Sequence, residues 1–321
     1  MMHRRSIFIA GGAGLALAAV GAQAQSGTWP DRPLKFITPY PPGGLSDQIT
    51  RYVGDRVSRA VGQPVIVENK PGAGAALGTE YAAHAAPDGY NFFVAPTATV
   101  CVAPWIRKVN FSIDDFAPVA KLTSSYGLIT TRKNAPFNTY REFVAAAKAA
   151  PGKYTFATNG VGSIVHLTAV LLHKKAGIEL VHVPYKGSME SMTDLIGGRI
   201  DLMYDPVTAP RVRDGILKAL AVTNDDRYPL LPEVTTLKEQ GYDLDTRSWF
   251  GVFAPKATPA NIVARMSSEI KKIMAGPTVR ADMLVSSMYP DYEDAEGFGR
   301  RARSDSDFFR DIIQKEGIKG D

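Results

Sequence analysis

From Leu34 onward, short β-rich runs alternate with segments of helical periodicity, and a glycine-containing turn marks most of the points where a run hands over to a helix. That order restricts the chain to α/β architectures, because a crossover helix brings the next strand in parallel to the last. The first unit is a strand at Leu34 to Thr38 and the turn Pro39-Tyr40-Pro41-Pro42-Gly43-Gly44. A helix follows, with Ile49, Tyr52, Val53, Val57, Ala60 and Val61 at helical spacing until Gly62. The unit repeats as a strand at Val65 to Val67, the turn Glu68 to Gly74 and an alanine-rich helix at Ala75 to Ala86, stopped before Pro87. Asn91 to Val94 is the third strand.

A second series begins after Thr139-x-x-Glu142, which has the form of a capping box for a helix running to about Ala150. Strands are expected at Thr155 to Ala157, Leu180 to Val183, Ile200 to Tyr204 and Leu217 to Val222. Helices are expected at Ser163 to Ala176, with Gly177 as its stop, and around Met189 to Ile196. Trp249 to Ala254 reads as a further strand, Thr258-Pro259 as a helix start and Ala295 to Glu316 as a charged helix docked by Phe298, Phe308, Phe309 and Ile312. At 321 residues the chain has room for two domains of roughly 150 residues each. Strands near Ala117 to Thr130 and near Trp249 to Ala254 are placed to cross between them. The expected architecture is therefore α/β in two lobes, each a mostly parallel sheet flanked by helices, with two crossover strands acting as a hinge.

The first two dozen residues read as an export signal. Met1 to Arg5 is basic, Ile7 to Val20 is apolar and small, and Ala22-Gln23-Ala24 has the form of a cleavage site. Residues 1–24 are thus expected to be a signal peptide, with 25–123 plus 248–321 forming one lobe and 124–247 the other. Arg4-Arg5 leaves the export route open between the general secretory and twin-arginine pathways. Removing those two arginines takes the formal charge from 37 − 32 = +5 to 35 − 32 = +3. So mild a balance, with no basic run and no aromatic-studded basic stretch, sets nucleic acid aside. Cys101 is the only cysteine, and the five histidines form no H-E-x-x-H, so neither an intramolecular disulfide nor a metal site is expected.

The chemistry is concentrated in the turns. Pro41-Pro42-Gly43-Gly44 and Pro71-Gly72-Ala73-Gly74 each precede a helix, where free N–H groups and the helix dipole favour an anion. Leu77 stands where a dinucleotide fingerprint needs glycine, no Gly-Lys phosphate loop is present and no G-x-S-x-G elbow occurs. No cofactor is expected. In the second series Asn159-Gly160-Val161-Gly162-Ser163 forms another cradle. There Ser163 is a helix cap that is also able to offer its hydroxyl to a ligand, and His166 is a structural histidine or a ligand contact. Asp205, before Pro206, either caps the next helix, accepts from a ligand or pairs with a lysine. Tyr185 is placed to wall the cleft and Lys186 to attract anions or be solvated, and Thr97, Thr99 and Trp249 either line the pocket or pack.

The ordered set Pro41-Pro42-Gly43-Gly44-x-x-Asp47, Val67 to Gly74, Pro87-Asp88-Gly89-Tyr90, Gly160-x-Gly162-Ser163-x-x-His166-Leu167 and His182 to Gly187 resembles the Bug family. These are the periplasmic solute receptors of tripartite tricarboxylate transporters. The likeness continues through Asp194 to Gly198, Leu220 to Thr223 and Phe253-Ala254-Pro255-x-x-Thr258-Pro259. It implies a two-lobed, Venus-flytrap receptor in the periplasm that performs no catalysis and delivers a small carboxylate to membrane permease subunits. It also implies that the carboxylate is held by backbone amides and ordered water from the first two turns. Matching positions are Pro42, Gly43, Gly44, Ala73 and Gly74 on one side, and Asn159, Gly162, Ser163, His166 and Asp205 on the other; Tyr40 and Thr97 are added as candidate ligand contacts. Tyr40, Leu45-Ser46 and Ala75 depart from the usual pattern and bear on which acid fits. Two other classes remain readable: a ligand-sensing partner of a membrane sensor kinase, and a periplasmic hydrolase using Ser163 and His166, for which no third orienting residue is found.

Overall fold

The computed structural model describes residues 29–185, 187–244 and 248–319. The expected signal peptide and the reading of Lys186 lie outside the described residues.

In chain order the elements are β1 (Leu34–Thr38), α1 (Leu45–Val61), β2 (Val65–Asn69), α2 (Ala76–Ala83), β3 (Asn91–Pro96), α3 (Ala103–Ile106), β4 (Phe116–Ser125) and β5 (Leu128–Arg132). There follow α4 (Tyr140–Ala149), β6 (Thr155–Thr158), α5 (Ile164–Ala176), β7 (Val181–Pro184), α6 (Ser188–Ile196), β8 (Leu202–Met203), α7 (Ala209–Arg213) and β9 (Leu217–Val222). The chain closes with β10 (Trp249–Pro255), α8 (Ala260–Met274), α9 (Val279–Leu284), β11 (Met288–Glu293) and α10 (Ala295–Glu316).

The strands form two sheets, one of six in the order β11-β4-β10-β3-β1-β2 and one of five in the order β7-β6-β8-β5-β9. Both are mixed, which corrects the expectation of mostly parallel sheets. β1 pairs in parallel with β2 and β3, but β10, which brings the chain back from the second sheet, enters antiparallel to β3 and β4, and β11, reached from β10 through α8 and α9, is also antiparallel to β4. In the second sheet β6 is parallel to β7 and β8, and β5 runs antiparallel to β8 and β9.

The expected crossing strands also differ in detail. The run from Phe116 to Arg132 breaks at Tyr126-Gly127, so β4 serves the first sheet and β5 the second, while β10 lies wholly in the first. The two passages between the sheets run side by side and are pinned together. The Gly127 N–H donates to Asn224 Oδ1 at 2.9 Å, and Asn224 Nδ2 returns a bond to the Ser125 carbonyl at 3.0 Å. The Thr223 N–H donates to the Gly127 carbonyl at 2.9 Å.

Local signals explain most helix ends. Thr139 accepts from the Glu142 N–H, and Gly177 closes α5 in the left-handed conformation. At α8 the expected cap shifts by one residue: Pro259 occupies the cap position, and the buried Thr258 hydroxyl has no partner.

One core cluster crosses from sheet to sheet. Leu167 of α5, fully buried, packs with Ala103, Ile106, Phe253 and Phe298, which belong to the first sheet's layer. Phe298 on α10 anchors that layer, packing edge-on against Trp249 at 4.9 Å and tilted against Phe253 at 4.8 Å. Phe298→Ala is expected to cost about 3–5 kcal/mol in chemical denaturation, the range for emptying a fully buried phenylalanine site; a loss under about 1 kcal/mol would contradict this packing.

Candidate functional site

The two glycine turns of the first sheet leave from adjacent, register-paired residues, since Thr38 pairs with Asn69 in the parallel β1-β2 ladder. Strand spacing alone therefore puts their origins about 5 Å apart. Asn69 ties them together, its Nδ2 donating at 2.9 Å to both the Tyr40 carbonyl and Asp47 Oδ1. Neither helix start has a side-chain cap, so no capping side chain claims the first-turn N–H groups of α1 or of the turn leading into α2.

The first turn spends part of this capacity on itself. The Gly43 N–H donates to Asp47 Oδ2 at 2.9 Å, and Arg51 pairs with the same oxygen at 2.9 Å. Burial raises the Asp47 pKa, but the bonds from Arg51, Gly43 and Asn69 outweigh it and hold the carboxyl below its ordinary value. Asp47 thus shapes the turn as a permanent carboxylate, while Pro42, Gly43 and Gly44 remain exposed.

The second turn is wound in an unusual conformation. Gly72, Ala73, Gly74 and Ala75 all have positive φ, at 135°, 48°, 60° and 77°. Two alanines in this region carry a cost of roughly 1–3 kcal/mol each, the kind of local strain found at binding sites. Over it lies Arg107, whose Nη1 donates to the Ala73 carbonyl at 2.9 Å. A Cβ on Gly74 would come within 2.2 Å of that same nitrogen. Tyr40 sits beside this group: burial raises its phenol pKa, and the Arg107 charge partly opposes the rise.

The second sheet brings its own turns to the facing edge, at the carboxyl ends of the parallel trio β7-β6-β8. Asn159 is exposed at the end of β6. Gly162, with φ at 73°, is in close contact across the interface, because a Cβ there would lie 1.9 Å from Ile106 Cδ1. Ile106 immediately precedes Arg107, so the two faces meet beside the Gly74 turn. Contacts at the margins hold the same closure: Lys174 reaches Glu316 at 2.5 Å, and Ser287 Oγ donates to the Pro206 carbonyl at 3.2 Å.

Several predicted residues have their polar atoms committed locally. Ser163 caps α5, accepting from the His166 N–H at 3.2 Å and donating to the Gly160 carbonyl at 2.8 Å. His166 Nδ1 accepts from the Gly162 N–H at 3.2 Å, so serine and imidazole are oriented by the turn and not toward each other. Asp205 uses Oδ1 on the Val207 N–H and Oδ2 on the Ser188 hydroxyl, at 3.0 and 2.5 Å, and burial raises its pKa. Thr97 is buried between β3 and β10, its hydroxyl accepting from the Trp249 N–H at 2.9 Å and donating to the Trp249 carbonyl at 3.2 Å. These bonds tie the end of β3 to the start of β10.

Behind the second cradle the rings of His166 and His182 stack at 4.4 Å, and His182 stacks on Phe156 at 4.8 Å. His173 packs edge-on to Phe156 and bonds the Tyr204 hydroxyl at 2.7 Å. Burial, and secondarily the neighbouring imidazoles, lowers His166 to about 4 and His173 to about 3. His166 and His173 are therefore neutral at pH 7.

A cavity of about 710 Å³ lies at the hinge end of the same cleft, lined by Ser124, Tyr126, Asn224, Ser248, Trp249 and Tyr289 among others. None of the predicted site residues lines it except Trp249, one of the three left between wall and packing. Two residues escaped the sequence reading, Ile106 and Arg107; their segment carries no strand or helix periodicity, and only the Arg107-Lys108 pair beyond an apolar run marks it.

The family described as "Tripartite tricarboxylate transporter family receptor" matches residues 49–318. Protein BugT of Bordetella pertussis is 33% identical over 271 residues, covering 83% of this chain and 83% of that protein. Among solved structures, Rpa4515 of R. palustris with adipate is 26% identical with a TM-score of 0.82, covering 91% of this chain and 99% of that one. MatC (Rpa3494) from Rhodopseudomonas palustris with bound malate is 27% identical with a TM-score of 0.77, covering 89% and 100%.

Two outcomes are expected. Gly162→Ala drives a methyl into Ile106 and should hold the faces apart, enlarging the radius of gyration in small-angle scattering; adding Ile106→Ala should restore it, and no change in the single variant would place the contact elsewhere. For the histidines, the folded pKa lies below the unfolded value of 6.5, so their contribution to stability is full above about 6.5 and is lost as pH falls toward 4 and 3. Each is of the order of 3 kcal/mol. NMR titration of the two rings checks this, and a midpoint near 6.5 for either would contradict it.

Proposed function

The chain belongs to the tripartite tricarboxylate transporter receptor family, and from that premise we propose that it captures a small carboxylate between its lobes in the periplasm and hands it to the membrane permease of such a transporter. The observation that carries the reading is the pair of uncapped helix starts on adjacent strands, facing the Asn159–Ser163 turn across a closed contact. Donors of this kind favour negative charge and take it either directly or through water, which costs little in enthalpy. The adipate- and malate-bound relatives support a carboxylate as the ligand class. The bonds that orient Ser163 and His166 away from each other speak against the hydrolase alternative.

The lobes follow the sheets. Residues 25–123 plus 248–321 make one and 124–247 the other, a division supported by the change of sheet between Ser125 and Leu128 and again between Val222 and Trp249. Closure about these two passages is a hinge motion of the type that sequesters ligands.

One observation favours a second placement of the ligand within the same receptor reading. The hinge-side cavity, at about 710 Å³, is within the range of small-molecule pockets. Isothermal titration of the mature protein against mono-, di- and tricarboxylates should give saturable 1:1 binding of at least one acid; binding of none would refute the proposal. Gly74→Val should weaken that binding about tenfold or more and Tyr289→Ala leave it unchanged, by comparison with typical costs of losing one or two hydrogen bonds. The reverse pattern would move the ligand to the hinge.

A further inference from the structure

We propose that Arg107 is a ligand-contacting residue, reading the charge of the bound acid at the Gly72–Ala75 turn. The inference rests on the receptor reading above and adds a cation to a site otherwise built from backbone amides.

Three observations converge on this side chain. Its Nη1 is anchored on the Ala73 carbonyl at 2.9 Å, which fixes the guanidinium plane over Gly74. Its Nε is buried and has no hydrogen-bond partner, so one donor of the fork is shut from water with nothing to bond. No ion pair of Arg107 is found among the described residues, although nearby Arg51 is matched by Asp47.

An arginine that is half-buried, lacks a carboxylate partner and leaves its Nε unpaired is costly to keep. Its unspent edge, Nε with Nη2, is the edge that takes a carboxylate through two parallel bonds. The surroundings suit that role. The neighbouring polar side chain is the Tyr40 phenol, and the strained turn offers main-chain N–H groups to the same region.

Arg107 also follows Ile106, which closes on Gly162 of the other lobe. The guanidinium is therefore carried by the segment that feels closure. Separation of the Ile106–Gly162 contact loosens that segment and admits the acid to the Nε edge, and the acid then replaces a buried unpaired donor with a charge-assisted pair.

The test uses the mature full chain and an acid that the wild type binds, titrated at low and high salt, with melting temperature measured alongside. Arg107→Met should weaken binding about ten- to a hundredfold, the range for a charge-assisted hydrogen bond, and flatten the salt dependence. Arg107→Lys, which keeps charge but not the planar fork, should recover part of the affinity and all of the salt dependence. Unchanged affinity in Arg107→Met would overturn the assignment while leaving the receptor intact. Weaker binding with the wild-type salt dependence and a lowered melting temperature would also overturn it, marking Arg107 as a prop for the Ala73 carbonyl. If the wild type binds no acid at all, the receptor reading falls first and this inference with it.

Discussion

The first-turn amides of two helices, left without side-chain caps on neighbouring strands, are the constraint from which the rest of the molecule can be understood. A helix start ordinarily recruits Ser, Thr, Asp or Asn to satisfy these donors, and α4, α5 and α10 do so through Thr139, Ser163 and Asp294, whereas α3, α6, α7, α8 and α9 also start without a side-chain cap. At the β1 and β2 turns it places glycine instead and winds one of the turns through four positive φ angles. Such a surface is tolerable only where water or an anion meets it, and it is why we propose the site at the carboxyl edge of the first sheet.

Around that edge the fold supplies a partner surface and a way to bring it in. Gly162 has no side chain to collide with Ile106, so the second lobe's cradle can approach within van der Waals reach of the segment bearing Arg107. The aromatic stack of Phe156, His182 and His166 supports the cradle from below, and burial keeps His166 neutral at pH 7. At the far end, the bonds among Ser125, Gly127, Thr223 and Asn224 fasten the two passages between lobes together, beside which a cavity of about 710 Å³ opens.

Much of this was legible in the sequence where local chemistry decides structure. β9 at Leu217–Val222 and α10 at Ala295–Glu316 run where their periodicity places them, and the Thr139 and Ser163 caps and the Gly177 stop act as their residue types dictate. What local patterns do not carry is how strands are ordered. The antiparallel entry of β10 depends on the return of the chain from the other lobe, and β11, at Met288–Glu293, mixes proline and charge in a way that hides a strand. The site divides in the same manner. The glycine turns declare themselves, but the commitments of Thr97 and Asp205 to backbone and neighbouring hydroxyls are set by packing, as is the placement of Arg107 over a turn more than thirty residues earlier.

The central claim is that main-chain donors of the two glycine turns hold the carboxylate. The most direct measurement is a crystal structure of the mature protein with the tightest-binding acid. The account predicts carboxylate oxygens about 3 Å from backbone nitrogens of the 43–47 and 73–76 turns, or joined to them by one ordered water. An acid seated instead among Tyr126, Asn224 and Tyr289 at the hinge, with both turns facing bulk solvent, would contradict it.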